Sequence, residues 1–275
     1  MTVEISLPSD RAATAPAAAR RTRVASRPVG LVADIVNVLV RELQPVLRQP
    51  VSVLFAMVQP LVFLGLFAPL LPDTPSGSAL QWFVPGIVSM TALMSASFTG
   101  ANLSEEIISG SFERLLVSPV RRSSLMIGKA LREMVPLLLQ TLIIVAAVTP
   151  FAFDLHVGGV LLGVVVLVPF SVGLGALSLA LAVAAKEQSW VFWTVQQTVI
   201  FPLLLLAGVL LPLEGAPGWL RTAADLNPLT YIVEAERALF AGTYPAETVL
   251  SGIAASLVVG VLGLWVGVRR MNRAS

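Results

Sequence analysis

The sequence predicts an all-α polytopic membrane protein, on three observations. Of its 275 residues, 56% are hydrophobic and 12% charged, about half the charged share of an ordinary soluble domain. The apolar residues come in long unbroken runs rather than alternating with polar ones. In a hydrocarbon core no water satisfies backbone N–H and C=O groups, and continuous runs solve that problem as helices. The runs also have the length, about 20 residues, that crosses a core of about 30 Å.

Six spans are predicted, at 51–71, 82–103, 134–153, 157–184, 190–212 and 247–268. The fourth carries Pro169, Gly173 and Gly175, so a tilt or kink is expected there. Residues 1–28 are rich in Ala, Arg, Ser, Thr and Pro and have no periodic apolar face. They predict a disordered tail, leaving 29–275 as the membrane domain. Residues 30–48 predict an amphipathic helix: Asp34, Asn37, Arg41, Gln44 and Arg48 form a polar stripe, opposite Leu31, Ile35, Val38, Leu39 and Leu43. Such a helix suits the membrane interface or the surface of other protein.

The basic residues are distributed unevenly. Arg11, Arg20, Arg21, Arg23, Arg27, Arg41 and Arg48 precede the first span. Arg114, Arg121, Arg122, Lys129 and Arg132 lie between the second and third, Lys186 between the fourth and fifth, and Arg269, Arg270 and Arg273 after the last. The opposite side holds only Arg221 and Arg237. The positive-inside rule then puts both termini in the cytoplasm, as an even number of spans requires.

Several chemistries lack their parts. There is no cysteine, and the single histidine, His156, sits in a short loop. A nucleophile with its base, or a metal cluster, is not assembled from these residues, which argues against an intramembrane enzyme. No GxxxxGK[ST] phosphate loop occurs; Gly128-Lys129 lacks the upstream glycine and the following Ser or Thr. Within the spans the polar groups are mostly amides and hydroxyls: Gln59, Gln140, Thr141, and a band of Thr194, Gln196, Gln197 and Thr198 in the fifth. No intramembrane Asp, Glu, Lys or Arg is evident, which argues against a proton- or ion-coupled secondary transporter. A non-transporting membrane scaffold stays open on these observations.

Two segments break the apolar pattern. SEEIISGSFERLLVSPVRR, residues 104–122, lies on the cytoplasmic side. Asn102 and Glu105 have capping-box spacing, Glu105 and Glu106 suit a first helical turn, and Ile108, Phe112, Leu115 and Leu116 share one face. Pro119 ends the helix. Periodicity alone serves a connecting helix and a docking helix equally. On the outer side, Asn227-Pro228 starts a second short helix and Gly242 can stop it, with Glu234 and Arg237 spaced to pair.

The run SEEIISGSFERLLVSPVRRSSLMIGKALREM, followed over a hundred residues later by NPLTYIVEAER at 227–237, resembles the two signatures of the permease subunits of type-2 ATP-binding-cassette exporters, drug-resistance and lipid branch. The resemblance implies six spans, a cytoplasmic coupling helix and a short outer helix that re-enters the membrane. It implies a separate ATPase subunit, in two copies, which binds ATP and Mg, and a second permease copy. It assigns Glu105, Glu106, Ser109, Gly110, Phe112, Glu113, Arg114 and Leu115 to the ATPase contact, with Phe112 as an anchor in the partner and Glu113 and Arg114 as its charged rim. Phe98, Asn102, Gln196, Gln197, Phe201 and Leu205 are candidates for the substrate path, and Asn227, Pro228, Tyr231, Glu234 and Arg237 for the outer cap. The cargo so implied is an amphipathic drug, lipid or glycolipid.

Overall fold

The structure, a computed structural model, describes residues 30–48, 50–70, 78–116, 121–151, 153–186, 188–210, 213 and 215–273. The predicted tail at 1–28 lies outside them. Within the described residues the chain is helical, as expected: α1 (Leu31–Arg48), α2 (Pro50–Phe67, running into a 3-10 turn at Ala68–Leu70), α3 (Ala79–Ile108), α4 (Ser111–Leu116), α5 (Arg122–Leu131), α6 (Met134–Val148), α7 (Val157–Ala185), α8 (Ser189–Leu206), α9 (Gly218–Asp225), α10 (Pro228–Phe240) and α11 (Ala246–Arg273).

Five segments are long and apolar enough to cross a membrane: α3, α5 with α6 (Arg122–Val148), α7, α8 and α11. The first predicted span falls on α2, an 18-residue apolar helix that is not among these five. Several boundaries shift. The third predicted span ends as helix at Val148 rather than 153. The fifth ends at Leu206 rather than 212, because Gly208 turns the chain with φ +64° although apolar residues continue.

α3 is the central helix, with 78% of its apolar window buried against 22% for α8 and for α11. Phe83, Ile87, Leu93 and Leu103 lie at its fully buried positions. α7 and α11 pack closely through small residues. A side chain added at Gly263 would overlap the Gly173 carbonyl of α7, and one added at Gly173 would overlap the Val259 carbonyl of α11. Near the start of α7, Gly159 faces the Leu239 carbonyl of α10, and Gly163 faces Glu236. Both small-residue pairs of the sequence, Gly159 with Gly163 and Gly263 with Gly267, therefore sit at close helix approaches.

Hydroxyls tie the seams further. Ser256 of α11 donates to the Val166 carbonyl and accepts from Phe170 N at 3.0 Å. It thereby bridges two groups one helical turn apart, beside Pro169, a residue that leaves the ladder one donor short. Ser178 of α7 likewise donates to the Ser97 carbonyl and accepts from Gly100 N at 3.1 Å. Gly263→Val must push α11 off a backbone carbonyl rather than a flexible side chain. The expected cost is about 1–3 kcal/mol, read as a lower thermal midpoint of the purified protein, while Val at exposed Leu262 changes little.

Candidate coupling, path and cap sites

The stretch 104–122 folds differently from its sequence reading. Asn102 and Glu105 do not cap a new helix: α3 runs unbroken to Ile108. Glu105 and Glu106 therefore lie in its last turn, at the negative end of the helix, the reverse of the expected dipole arrangement. The break falls at Ser109-Gly110, where Gly110 adopts φ +69° and Ser109 and Ser111 both donate to the Glu106 carbonyl at 3.1 Å. This turn sets the short α4 at an angle to α3.

Phe112 is the second correction. It is buried, at 6% exposure, and joins a core of Leu103, Leu125, Met126, Leu179 and Phe192 drawn from α3, α5, α7 and α8. It is thus an inward peg of its own chain and not a side chain free to enter a partner. Ile108, assigned to the same apolar face, is exposed. Glu105, Ser109 and Glu113 are exposed as well. The side chains of Arg114 and Leu115 lie outside the described part, as does Glu187, expected to frame this surface.

Glu106 turns to a cluster that sequence reasoning did not assemble. Lys129 of α5, buried, places its Nζ 2.7 Å from Glu106 Oε1 and 3.0 Å from Glu42 Oε1 of α1. Arg132 Nη1 lies 3.3 Å from Glu42 Oε2. One ammonium thus ties the end of α3 to α1 and α5. The helices meet closely there because position 128 is glycine: a Cβ would stand 2.6 Å from Val38 Cγ1. α1 is accordingly packed on protein along Asp34, Val38 and Glu42, all buried. Asp34 belonged to the predicted polar stripe; it faces inward, while Asn37, Arg41, Gln44 and Arg48 stay exposed.

The path candidates separate into three settings. Phe98 and Asn102 line a cavity of about 440 Å³ between α2, α3 and α6. Phe98 also meets Trp193 of α8, with ring centroids 5.8 Å apart. Gln196 is buried with its Oε1 lacking a hydrogen-bond partner. Gln197, Phe201 and Leu205 lie on the exposed side of α8. The absence of deep ionisable residues, read from the sequence, also needs correction. Glu133 is buried between α5 and α6 and lines the cavity. Glu236 of α10 is buried with both carboxyl oxygens unpartnered.

The helix α10 matches its start and stop signals. Asn227 caps α10, its Oδ1 accepting from Leu229 N at 3.0 Å, with Pro228 in the first turn; Gly242 follows the end with φ +71°. α9 was not foreseen. α10 is buried along Leu229, Ile232, Val233, Leu239 and Phe240, so it is a packed element and not a surface helix lying flat. Its side chains reach the carbonyls at the end of α8. Asn227 Nδ2 donates to Leu203 O at 2.8 Å, and the Thr230 hydroxyl lies between Ala224 O at 2.9 Å and Leu206 O at 3.2 Å. Arg237, for which the sequence offered Glu234 as partner, reaches inward: its Nη2 donates to Gly208 O at 2.7 Å and its guanidinium lies 3.8 Å from the Trp82 ring centroid. Tyr231 Oη donates to the Asp225 carbonyl of α9 at 2.8 Å, and Glu234 is exposed. Gln81, not singled out from sequence, donates to the Phe240 carbonyl at 2.6 Å and accepts from Asp154 N at 3.0 Å.

A multi-pass helical bundle with a bent, charged appendage at one end and a hydrogen-bonded cap at the other defines a membrane permease. The ABC-2 type transporter family profile matches residues 34–241, from α1 to the end of α10, and the chain belongs to this family of ABC transporter permease subunits. It is 28% identical over 199 residues to a daunorubicin resistance ABC transporter permease of Streptomyces coeruleorubidus, covering 70% of each chain. It is 26% identical over 239 residues to a probable doxorubicin resistance ABC transporter permease of Mycobacterium tuberculosis, covering 82% of this chain and 84% of that one. To a putative transport permease of Porphyra purpurea the identity is 27% over 221 residues, covering 78% and 76%.

Proposed function

We propose that this chain is the transmembrane subunit of an ATP-driven exporter in the cytoplasmic membrane, moving an amphipathic drug, lipid or glycolipid. Two copies pair, and two separate ATPase subunits bind ATP and Mg and drive alternating access. α2 serves as the first of six spans, both termini face the cytoplasm, and α10 re-enters from the outside as the exit cap. The relatives named for daunorubicin and doxorubicin resistance support the cargo class.

The observation that carries this reading is the joint between the exposed appendage and the bundle. Glu105, Ser109, Gly110 and Glu113 offer the outer surface for the ATPase. Phe112 and Glu106, on the same few turns, are fixed inside to α5, α7, α8 and, through Lys129, to α1. A push on α4 is thus delivered to several helices through packed and ion-paired contacts. A plain connecting loop has no need of such anchorage. The exposed apolar sides of α8 and α11, including Phe201, Leu205, Val261 and Trp265, leave surface for a second copy and lipid.

The test co-expresses the chain with its ATPase. Wild type stimulates hydrolysis and drives drug efflux, whereas Glu105→Lys with Glu113→Lys abolishes both while membrane insertion persists; undiminished efflux overturns the coupling role. The chain has no cysteine, so Glu113→Cys carries a single thiol. It should react with an impermeant maleimide only from the cytoplasmic side, and labelling from outside inverts the topology.

A further inference from the structure

The cavity between α2, α3 and α6 holds a carboxylate that its surroundings leave without a counter-ion. Glu133 is buried at 4% exposure, and its Oε2 accepts one hydrogen bond, from Ser95 Oγ at 3.0 Å. Lys129 is held by Glu42 and Glu106, and the Arg132 guanidinium, which also borders the cavity, by Glu42. Glu133 itself forms no ion pair among the described residues. Three further polar atoms of the cavity wall are buried without a hydrogen-bond partner: Thr99 Oγ1, Gln140 Oε1 and Arg132 Nε. The rest of the wall is largely apolar, with Phe98 and Met94 on α3 and Phe55 on α2. Unpaired buried charge and unsatisfied buried polar atoms are costly, and in membrane proteins they mark working sites. An apolar pocket with a few convergent polar groups is the usual form of a small-molecule site.

We propose that this cavity is a cargo site selective for lipophilic cations, with the Glu133 carboxylate as counter-charge, the Thr99 hydroxyl and Gln140 amide as orienting groups, and Phe98, Met94 and Phe55 as the apolar wall. The proposal deepens the exporter reading and rests on it for the word cargo. A cation supplies what the cavity lacks, because its charge completes the pairing around Glu133 while its apolar body replaces lipid against the wall. Attraction between the two charges is strong in a site screened from water, and aromatic faces add to the preference for a cation. An anionic lipid meets Glu133 as a like charge, and the one cationic group in the described wall, Arg132, is already paired with Glu42.

The experiment measures binding of radiolabelled tetraphenylphosphonium, and of neutral triphenylphosphine oxide, to the purified full-length protein in nanodiscs. Wild type should bind the cation at least tenfold more tightly than the neutral probe, and Glu133→Gln should erase that preference while leaving neutral binding in place. An undiminished preference in Glu133→Gln, equal loss of both probes, or no preference in wild type would overturn the proposal; equal loss would leave Glu133 a tie between α3 and the α5–α6 turn. Gln59→Trp, at an exposed position of α2 that lines the cavity, keeps the test open if Glu133→Gln fails to fold. It should exclude both probes, and cation binding unchanged by it would equally overturn the site. ATP-driven efflux with the ATPase is scored separately. Charge-selective binding without efflux would sink the exporter reading and leave the site; efflux without charge-selective binding would do the reverse.

Discussion

Lys129→Met is expected to be the most damaging single substitution in this protein. It leaves Glu42 buried and Glu106 partly buried with their shared cation gone, where they now lie 3.0 Å and 2.7 Å from Nζ. Breaking a buried ion pair from one side costs about 3–5 kcal/mol, because the remaining charge is stranded. Arg132 retains a contact to Glu42 at 3.3 Å but, among the described residues, forms no salt bridge with Glu106, so the α3 end loses its link to α5. The measurement is the thermal midpoint and the monodisperse fraction after extraction. Adding Glu42→Gln and Glu106→Gln should restore part of the loss, since the two carboxylates no longer strand charge and only the partly exposed Arg132 gives up its partner. The triple variant then separates stability from coupling. If the cluster carries force from α4 to α1, the restored protein inserts and folds yet stimulates its ATPase poorly. Full stimulation would assign the cluster to stability alone.

The buried cluster was partly visible beforehand. On a helical projection of α1, Glu42 falls inside the apolar arc, one turn after Val38 and flanked by Ile35 and Leu39. A lone carboxylate on an apolar face needs a partner. What the sequence could not supply was which cation, since Lys129 lies on another helix and counts, in a topology argument, only as one more cytoplasmic charge. The cytoplasmic helix failed for a different reason. Glu105 and Glu106 fit the start of a helix as well as the end of one by spacing, and the deciding feature was the left-handed conformation at Gly110. Gly208 hid the end of α8 in the same way, because hydropathy continues past it through buried Val209. α10 was legible almost to the residue. Its start signal, Asn then Pro, and its stop signal, Gly242, are local side-chain chemistry and need no tertiary information. The cavity carboxylate was the hardest to see: Glu133 sits beside Arg132 in a charged run, and only the packing of α2 against α3 and α6 shows that it is enclosed.

Arg237→Met carries the second large effect, at the opposite end of the molecule. The Gly208 carbonyl is buried and accepts from Arg237 Nη2 at 2.7 Å. A hydrogen bond to a charged donor contributes about 1.5–3 kcal/mol, and a buried acceptor left open adds its own desolvation cost. The guanidinium also covers Trp82 at 3.8 Å, a contact that Lys cannot reproduce with the same planar geometry. Both Met and Lys variants should therefore lower the thermal midpoint, Met more than Lys. The consequence for transport follows from the position. Asn227, Thr230 and Arg237 hold the Leu203, Leu206 and Gly208 carbonyls, so α10 and the end of α8 move as one body. Loosening that clamp should leave ATPase stimulation near wild type, because the α4 joint is untouched, while efflux falls several-fold. Hydrolysis and efflux falling in proportion would instead mean that Arg237 serves only to hold the fold together.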